Sequence, residues 1–293
     1  MDNPIIPASG TFGYGYEFAD WYDINILGSL CIKGTTQNPR YGNELPRVAE
    51  TSSGMINSIG LQNPGVINVL GEEIPKLKKK FSKKIIANIA GSTVDEYVYV
   101  AQKFDTCPEV MIMEINVSCP NISLGGMAFG VCAEIIKKLC KILKKCVKKP
   151  IYIKLSPNVT NILEIAKIAE DSGADGLVLI NCLLGTAINP RNGQFVIHNK
   201  LGGFSGPAIK PIALRMIYEV AKHVKIPIIG VGGIKTADDV LEFLSVGACA
   251  VEVGSCNLVD PLVCKTIIES LPGQMKKYGI KKLKNIIGRS LKF

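Results

Sequence analysis

The sequence predicts a single α/β domain, a (β/α)8 TIM barrel with long loops after its second and sixth strands. Eight short apolar runs alternate with segments of helical periodicity along nearly the whole chain, and eight such units are typical of a closed barrel. The 293 residues, 47% of them hydrophobic, can fill one large core, so we expect residues 1–293 to form one domain. An open doubly wound sheet is the alternative, but it usually has fewer strands and a G-x-G-x-x-G run after its first strand, which this sequence lacks.

The eight predicted strands are β-branched runs that end in Gly, Asn, Ser or Pro. They are Pro4–Ala8, Ser29–Lys33, Lys84–Ala90, Val110–Val117, Ile151–Ser156, Gly176–Asn181, Pro227–Gly232 and Ala248–Gly254. The segments between and after them have apolar residues at three- and four-residue spacing, which predicts helices that each pack one face on the sheet. These helices are Tyr16–Trp21, Gly65–Phe81, Thr93–Phe104, Val131–Val147, Asn161–Ser172, Lys210–Val224, Thr236–Val246 and Pro261–Tyr278.

Two stretches interrupt this alternation. Thr35–Gly65, rich in Gly, Asn, Pro and Ser, follows the second strand, and Leu183–Pro207 follows the sixth. Loops of this length usually form lids or binding segments. Both follow strands, so we expect both on the C-terminal face of the barrel, where barrel active sites form.

Composition argues against several classes of protein. No apolar run reaches the roughly 18 residues of a membrane helix, and the N-terminus lacks the basic and apolar regions of a signal peptide. The net charge of +9 is concentrated at 76–80 and 137–149, but no aromatic residues or nucleic-acid motif accompany these lysines, which indicates solvated helix faces. We therefore expect a cytoplasmic protein that binds neither nucleic acid nor membrane, although a basic surface could steer an anionic substrate.

The cysteines favour neither a disulfide framework nor a metal site. Most lie within apolar strand or helix patterns, where cysteine behaves as a small hydrophobe, and the spacing of metal ligands is absent. The ten are Cys31, Cys107, Cys119, Cys132, Cys140, Cys146, Cys182, Cys249, Cys256 and Cys264.

Glycines at the ends of the last two strands predict a phosphate site. The seventh strand ends in Gly230-Val231-Gly232-Gly233 before a helix, and the eighth ends in Val253-Gly254-Ser255. Glycine lets backbone N–H groups approach an anion, and the helix N-terminus adds a favourable dipole. Tight strand-to-helix turns that need glycine for backbone reasons alone are the simpler interpretation. The pattern does not distinguish a flavin from a sugar phosphate.

Several reactive or polar residues fall at the strand ends. Cys119 follows the fourth strand, and since no histidine is near it in sequence, a proton-transfer role suits it better than a Cys–His nucleophile. Taken alone, it could equally be a structural cysteine. Lys33 and Lys154 each end an apolar strand and could hold an anion, or could reach solvent at the rim. Amides that suit a neutral polar heterocycle occur at Asn57, Asn88, Asn116, Asn121 and Asn181.

At these residues the sequence resembles the class 1 dihydroorotate dehydrogenases, and within them the catalytic subunit of the B type. The matching runs extend over nearly the whole chain in the family's order. They are residues 3–13, Lys33-Gly34-Thr35-Thr36, residues 57–65, Glu114-Ile115-Asn116-Val117-Ser118-Cys119-Pro120-Asn121, Lys154-Leu155-Ser156-Pro157-Asn158, Gly202–Pro211 and Gly230–Gly233.

The resemblance implies a flavoprotein oxidoreductase that oxidises dihydroorotate to orotate with FMN in pyrimidine biosynthesis. It implies that Cys119 takes the C5 proton while hydride passes from C6 to the flavin, and that Lys154 stabilises charge on the reduced ring. The implied substrate-binding residues are Lys33, Asn57, Ser58, Ile59, Gly60, Leu61, Asn116, Asn121, Asn181 and Cys182. The implied FMN-binding residues are Ser9, Lys33, Gly34, Asn88, Asn116, Lys154, Ile180, Gly206, Gly232, Gly233, Gly254 and Ser255.

The resemblance also implies a partner chain. B-type enzymes pair with a subunit that carries FAD and a [2Fe–2S] cluster and passes electrons to NAD, and a homodimer core within a heterotetramer is the family's arrangement. The cysteines here do not match an iron–sulfur spacing, so these cofactors are expected only on the partner. The chain departs from the family's pattern at two places: Cys182 stands where the family usually has Thr or Ser, and most of the N-terminal hairpin that plugs the barrel is missing.

Two alternatives remain at this point. The related flavin module of dihydropyrimidine dehydrogenase also has a cysteine after its fourth strand, but Lys33 and residues 57–61 suit a substrate carboxylate, which uracil lacks. The other alternative is a non-catalytic flavin-binding barrel subunit, which would be yellow but would not be reduced by dihydroorotate.

Overall fold

The computed structural model describes residues 1–117 and 133–293. Its strands, in chain order, are β1 (Ile5–Pro7), β2 (Cys31–Thr35), β3 (Val48–Thr51), β4 (Gly54–Asn57), β5 (Ile85–Ile89), β6 (Val110–Asn116), β7 (Ile151–Lys154), β8 (Gly176–Leu179), β9 (Leu183–Gly185), β10 (Gly202–Ser205), β11 (Ile228–Val231) and β12 (Ala250–Val253). Eight of them form one parallel sheet in the order β1-β12-β11-β8-β7-β6-β5-β2. This sheet curves into a nearly closed barrel, and each of its strands overlaps one of the eight predicted from the sequence.

Helices connect the parallel strands, as predicted. They are α1 (Val66–Asn68), α2 (Ile74–Lys78), α3 (Val94–Asp105), α4 (Ala133–Cys146), α5 (Ile162–Asp171), α6 (Lys210–Ala221), α7 (Ala237–Ser245), α8 (Cys256–Val259) and α9 (Val263–Lys277), with a π-helical turn at Val69–Glu73 between the first two. The predicted helix at Tyr16–Trp21 is a 3-10 helix, Tyr16–Asp20. Within the described residues, no helix is long and apolar enough to cross a membrane.

Side chains at the first turns explain where several helices begin. Thr236 accepts a hydrogen bond from the Asp239 backbone while the Asp239 carboxylate accepts from the Thr236 N–H, which is a capping box before α7. Thr93 caps α3 in the same position by accepting from the Glu96 N–H, and Asn161 caps α5. Each cap satisfies a backbone donor that the helix leaves unpaired.

The two long insertions contain regular structure that the sequence did not predict. They form a four-stranded antiparallel sheet in the order β3-β4-β10-β9. The central contact joins the insertions, because Phe204 of β10 pairs with Ile56 of β4. The local sequence pattern did not predict these strands, because they are stabilised by pairing between parts of the chain about 150 residues apart.

The barrel interior is layered. The apolar layer is a buried cluster separate from the main core, made by Ile6, Cys31, Ile86, Val178, Ile229, Val231 and Ala250. Alternate residues of a strand point to the same side, so the residues two further along several strands also face inward. Four of these are polar and buried: Asn88, Glu114, Lys154 and Glu252. The layer toward the C-terminal ends of the strands is thus polar.

Candidate active site

The predicted site residues lie at the C-terminal ends of neighbouring strands. Lys33 lies in β2, Asn88 in β5, Asn116 at the end of β6 and Lys154 at the end of β7. Asn181 follows β8 by two residues. Parallel strands end at the same edge of a sheet, so these side chains share the mouth of the barrel, which is where active sites form in this architecture.

Lys154 is the centre of a buried ionic cluster. Its Nζ donates to Oε1 of Glu114 at 2.9 Å and to Oε2 of Glu252 at 3.0 Å. Asn88 donates to the same oxygen of Glu114. Burial lowers the pKa of Lys154, but the two carboxylates outweigh it and hold the pKa above its ordinary value. Lys154 is therefore charged over the whole range in which the protein would work.

Cys31 also lies against this cluster. Its sulfur and one oxygen each of Glu114 and Glu252 are all within 4.8 Å of one another, an arrangement that could suit a cation. Burial, and then the two carboxylates, raise the pKa of the Cys31 thiol well above its ordinary value. The Lys154 ammonium already supplies positive charge to both carboxylates, so we assign no metal to this group.

Lys33 has a different environment. Burial, and then the nearby Arg47 guanidinium, lower the pKa of Lys33. No carboxylate of the described residues forms an ion pair with it, in contrast to Lys154. A cation without a counter-ion in a half-buried position is stabilised by an anionic ligand, so Lys33 is suited to bind a carboxylate or a phosphate.

An amide pair spans the mouth between β6 and β8. Asn181 donates from Nδ2 to Oδ1 of Asn116 at 3.2 Å, and its own Oδ1 accepts from the Cys182 N–H at 2.8 Å. The Cys182 thiol interacts with Asn57 and Ser205, and burial raises its pKa. Cys182 is therefore a neutral thiol at neutral pH, and it connects the barrel to the small antiparallel sheet.

The loop after β4 carries a second group of predicted substrate-binding residues. Gly60 and Leu61 both have positive φ, 79° and 56°, a conformation that is unfavourable for leucine. The loop is fixed by the Ser58 N–H, which donates to the Arg47 carbonyl at 2.8 Å. The Ile59 carbonyl accepts from the Asn43 N–H at 3.0 Å. Ser58, Ile59, Gly60 and Leu61 thus lie together beside the small sheet.

Asn63 holds this loop onto the barrel. Its Oδ1 accepts from the backbone N–H groups of Thr36 and Gly65 at 3.2 and 2.9 Å. Its Nδ2 donates to Thr36 Oγ1 and to the Leu61 carbonyl at 2.8 and 2.7 Å. All four hydrogen-bonding positions of one buried amide therefore stabilise the unfavourable backbone at Leu61.

The predicted phosphate end contains backbone positions that only glycine suits. Gly206, Gly232 and Gly233 have φ of 118°, 134° and 74°. A Cβ at Gly206 would lie 2.6 Å from the Gly54 Cα, and one at Gly232 would lie 2.7 Å from the Ala213 Cβ. Steric requirements of the chain therefore explain these glycines.

Gly254 differs from these glycines. A Cβ added there would meet no atom within 4 Å, and its φ is not in the positive region. The fold therefore does not require glycine at this position. Ser255 follows it at the start of α8. Open space at the end of β12, next to the glycine turn after β11, fits the phosphate of a bound cofactor.

The remaining predicted cofactor residues line the same mouth. A Cβ on Gly34 would lie 2.7 Å from Asn88 Oδ1, so the backbone of β2 passes directly over that amide. Ile180 donates its N–H to the Val231 carbonyl at 2.9 Å, beside Gly232. Ser9 lies two residues after the end of β1 and is half-buried. Cys119 and Asn121 lie outside the described residues.

Sequence reasoning missed three residues of this site. Glu114 and Glu252 are fully buried. Each is a lone acidic residue within an apolar strand, at a position where the alternation of side chains along the strand directs it into the barrel. That signal was available in the sequence. Asn63 was noted only as part of a matching run, because its four hydrogen bonds depend on how the loop folds back on β2.

Comparison with known proteins now adds to the geometry. A family model described as dihydroorotate dehydrogenase matches residues 1–275. The chain belongs to the dihydroorotate dehydrogenase family. A Bacillus cytotoxicus relative is 55% identical over 292 residues, covering all of this chain and 94% of that protein. Relatives from Geobacillus kaustophilus and Bacillus caldolyticus are 54% and 53% identical, each covering all of this chain and 93% of the relative. All three are named dihydroorotate dehydrogenase B (NAD(+)), catalytic subunit.

Membership of the dihydroorotate dehydrogenase family confirms the resemblance drawn from the motifs. The similarity to the Bacillus cytotoxicus relative extends over 292 residues, all of this chain. The barrel that the family resemblance implied is also the architecture found here.

Proposed function

We propose that this chain oxidises dihydroorotate to orotate, with FMN bound at the mouth of the barrel, as a step of pyrimidine biosynthesis. The observation that carries the proposal is the position of the half-buried Lys33, the buried Lys154 and the amide pair Asn116–Asn181 at one end of one barrel. Dihydroorotate is an anionic ring with several amide groups, which matches a lysine without a carboxylate partner among the described residues and side-chain amides at the same end of the barrel. The names of the relatives support the same activity.

The described residues fit FMN. The open space at Gly254 and the positive-φ turn at Gly232–Gly233 accommodate a phosphate, with Gly206 and Ser255 beside them. Lys154 supplies a permanent positive charge for the electron-rich edge of the ring. Ser9, Lys33, Gly34, Asn88, Asn116 and Ile180 line the space between these two ends.

Bound FMN would supply a two-electron acceptor for the hydride that leaves C6 of the substrate. The chain's own residues do the rest. Lys33 binds the substrate carboxylate, and the amides of Asn57, Asn116, Asn121 and Asn181 hold the ring. Ser58, Ile59, Gly60, Leu61 and Cys182 close the pocket around it. Cys119 accepts the C5 proton and must reach its thiolate form to do so.

Electrons leave through a second protein. The relatives are named as catalytic subunits with NAD(+) as acceptor, which supports a partner chain here as well. We propose that this partner carries FAD and a [2Fe–2S] cluster, and that two copies of the present chain form the core of a heterotetramer. The assembly would act in the cytoplasm and use neither nucleic acid nor a membrane.

The test is an anaerobic spectrum of the purified chain before and after addition of dihydroorotate. We expect a flavin spectrum that bleaches on addition, and FMN as the cofactor released by denaturation. A yellow protein that stays oxidised with dihydroorotate would indicate a non-catalytic barrel. Tight binding of uracil without binding of orotate would indicate the dihydropyrimidine dehydrogenase type instead.

Cys119→Ser tests the proton acceptor. We expect bleaching to slow by about two to four orders of magnitude at neutral pH, the range usual for loss of a general base, with FMN still bound. Cys249→Ser is the matched control, because Cys249 is exposed and precedes β12 at the opposite end of the barrel. Equal bleaching rates in the two variants would remove Cys119 from the mechanism.

A further inference from the structure

The buried cluster below the mouth contains more acid than its single cation can balance. Lys154 is the only cation that contacts Glu114 or Glu252 among the described residues. Both carboxyl groups are fully buried. If both were ionised, the cluster would carry one uncompensated negative charge inside the barrel, which is costly in a medium of low dielectric constant.

Hydrogen bonding shows the same imbalance. Glu114 Oε1 accepts from Lys154 and Asn88, and Glu252 Oε2 accepts from Lys154. The other two oxygens, Glu114 Oε2 and Glu252 Oε1, are buried and have no hydrogen-bond donor in the described part of the chain. The two carboxyl groups nevertheless interact with each other. One proton shared between the two carboxyl groups would supply a donor that this pair otherwise lacks among the described residues.

The surroundings determine which carboxyl group carries this proton. Among the described residues, Glu114 is stabilised as an anion by two donors, Lys154 and Asn88, whereas Glu252 accepts from Lys154 alone. The strands on either side of β12 add no charge, because Glu252 pairs in register with Ile6 of β1 and Val231 of β11. Within the described part of the chain, the Cys31 thiol of β2 also lies beside Glu252, and burial raises its pKa well above the ordinary value, so it is neutral.

We propose that Glu252 is a positioning residue that is protonated in the folded protein. Its carboxylic acid O–H donates a hydrogen bond to Glu114, and its other oxygen accepts a hydrogen bond from Lys154. The cluster then has no net charge: Lys154 is a cation, Glu114 an anion and Glu252 a neutral acid. The hydrogen bonds to Glu114 and Glu252 fix the Lys154 ammonium at the end of β7, while this pair of carboxyl groups places one negative charge next to it instead of two. The proton site is independent of any bound cofactor; its consequence for the flavin rests on the proposed function.

The pKa directions agree with this assignment. Burial, and then Glu114, raise the pKa of Glu252 well above its ordinary value, whereas that of Glu114 is lowered by Lys154 and its other partners against the effect of burial. For the pair as a whole, one proton is retained through neutral pH. Folding therefore takes up a proton at any pH between the ordinary value for glutamic acid and the raised one.

The first test uses the protein without cofactor. A group with a raised folded-state pKa binds more protons folded than unfolded, so its contribution to stability is lost as pH rises. Chemical denaturation is measured against pH for the wild type, Glu252→Gln and Glu164→Gln. Glutamine resembles the neutral acid, so the folding constant of Glu252→Gln relative to wild type should grow about tenfold per pH unit between the two pKa values.

Glu164 is an exposed glutamate in the first turn of α5, so Glu164→Gln should show no such increase. Infrared spectra in water and in D2O give a second readout. We expect a carboxylic-acid carbonyl band at neutral pH that is absent from Glu252→Gln and retained in Glu164→Gln. Parallel pH profiles for wild type and Glu252→Gln, together with no acid band, would overturn the proposal even if the enzyme is active.

The flavin supplies the final readout. With the acid neutral, Glu252→Gln leaves the charge near Lys154 unchanged, so the flavin midpoint potential at neutral pH should match wild type. If both carboxylates were ionised, the substitution would remove a negative charge and raise the potential, which contradicts the proposal. A chain that binds no flavin would overturn the proposed function, whereas the denaturation and infrared results would still decide the state of Glu252.

Discussion

Asn181 donates a hydrogen bond to Asn116 across 3.2 Å, and this contact joins the ends of two barrel strands that are not neighbours. The strand between them, β7, ends in Lys154. The two amides therefore bridge over the end of the strand that carries the buried cation. A planar ring bound at the mouth would meet amide groups and positive charge together.

Asn181→Ala tests this bridge. The substitution removes the donor to Asn116 and the acceptor for the Cys182 N–H. Each net hydrogen bond contributes about 0.5–1.5 kcal/mol, so we expect the dissociation constant of orotate to rise roughly tenfold while FMN content is unchanged. Asn285→Ala is the control, because Asn285 is exposed and lies in the 3-10 helix Leu283–Asn285 near the C-terminus. It should bind orotate with wild-type affinity. Equal affinity in both variants would exclude Asn181 from substrate binding.

Gly254→Ala tests whether glycine at this position serves cofactor binding and not the stability of the fold. No atom lies within 4 Å of the added methyl group, so we expect unchanged urea unfolding of the cofactor-free protein. If the space holds the phosphate, FMN affinity should fall at least tenfold. Gly71→Ala is the control, since its Cβ also meets no atom and it lies in the helical turn after α1.

Gly232→Ala should behave in the opposite way. Its φ of 134° and the contact with Ala213 make any side chain unfavourable, so we expect a loss of about 1–3 kcal/mol of stability even without FMN. For Gly254→Ala, by contrast, FMN affinity equal to that of wild type would show that the phosphate lies elsewhere.

The fold could be read from the sequence because each β/α unit is stabilised mainly by near neighbours in the chain. Eight strands with β-branched residues and seven amphipathic helices lie where periodicity placed them. The small sheet could not be read in this way. Its central pair joins Ile56 to Phe204, and neither insertion alternates polar and apolar residues strongly enough to predict a strand.

The sequence predicted only part of the candidate site, for a similar reason. Lys33 and Lys154 stood out because a charge at the end of an apolar strand needs an explanation. Glu114 and Glu252, which are charged residues within apolar strands, need the same explanation but were not recognised, although they are the direct partners of Lys154. Partners across a barrel interior depend on register between strands, and a single strand contains no such information.

Lys33 predicts how anion binding depends on pH. Burial and Arg47 lower its pKa, and an anion binds its protonated form better. Orotate affinity should therefore be constant below the lowered pKa of Lys33, and its dissociation constant should increase by about tenfold per pH unit above it. Lys33→Gln should bind orotate weakly, and its dissociation constant should not change with pH. Titrations of wild type and Lys33→Gln with orotate at a series of pH values measure both effects. A dependence that persists in Lys33→Gln would assign it to another group.

Asn63 gives a prediction about the loop that follows β4. Asn63→Ala leaves the Thr36 and Gly65 N–H groups and the Leu61 carbonyl without their amide partner. An unsatisfied buried group costs about 1–3 kcal/mol, and some of the loss is recovered by water or relaxation, so we expect about 3 kcal/mol less stability by urea denaturation. Leu61 should then leave its positive-φ conformation.

This release should affect substrate and cofactor differently. Orotate affinity should fall in Asn63→Ala because residues 57–61 are no longer held beside the barrel, whereas FMN should stay bound because the proposed phosphate site lies at β11 and β12. Asn192→Ala is the control, since Asn192 is exposed and bonds only within its own turn among the described residues. Loss of FMN and orotate in equal measure would show that Asn63 supports the whole mouth rather than the substrate loop.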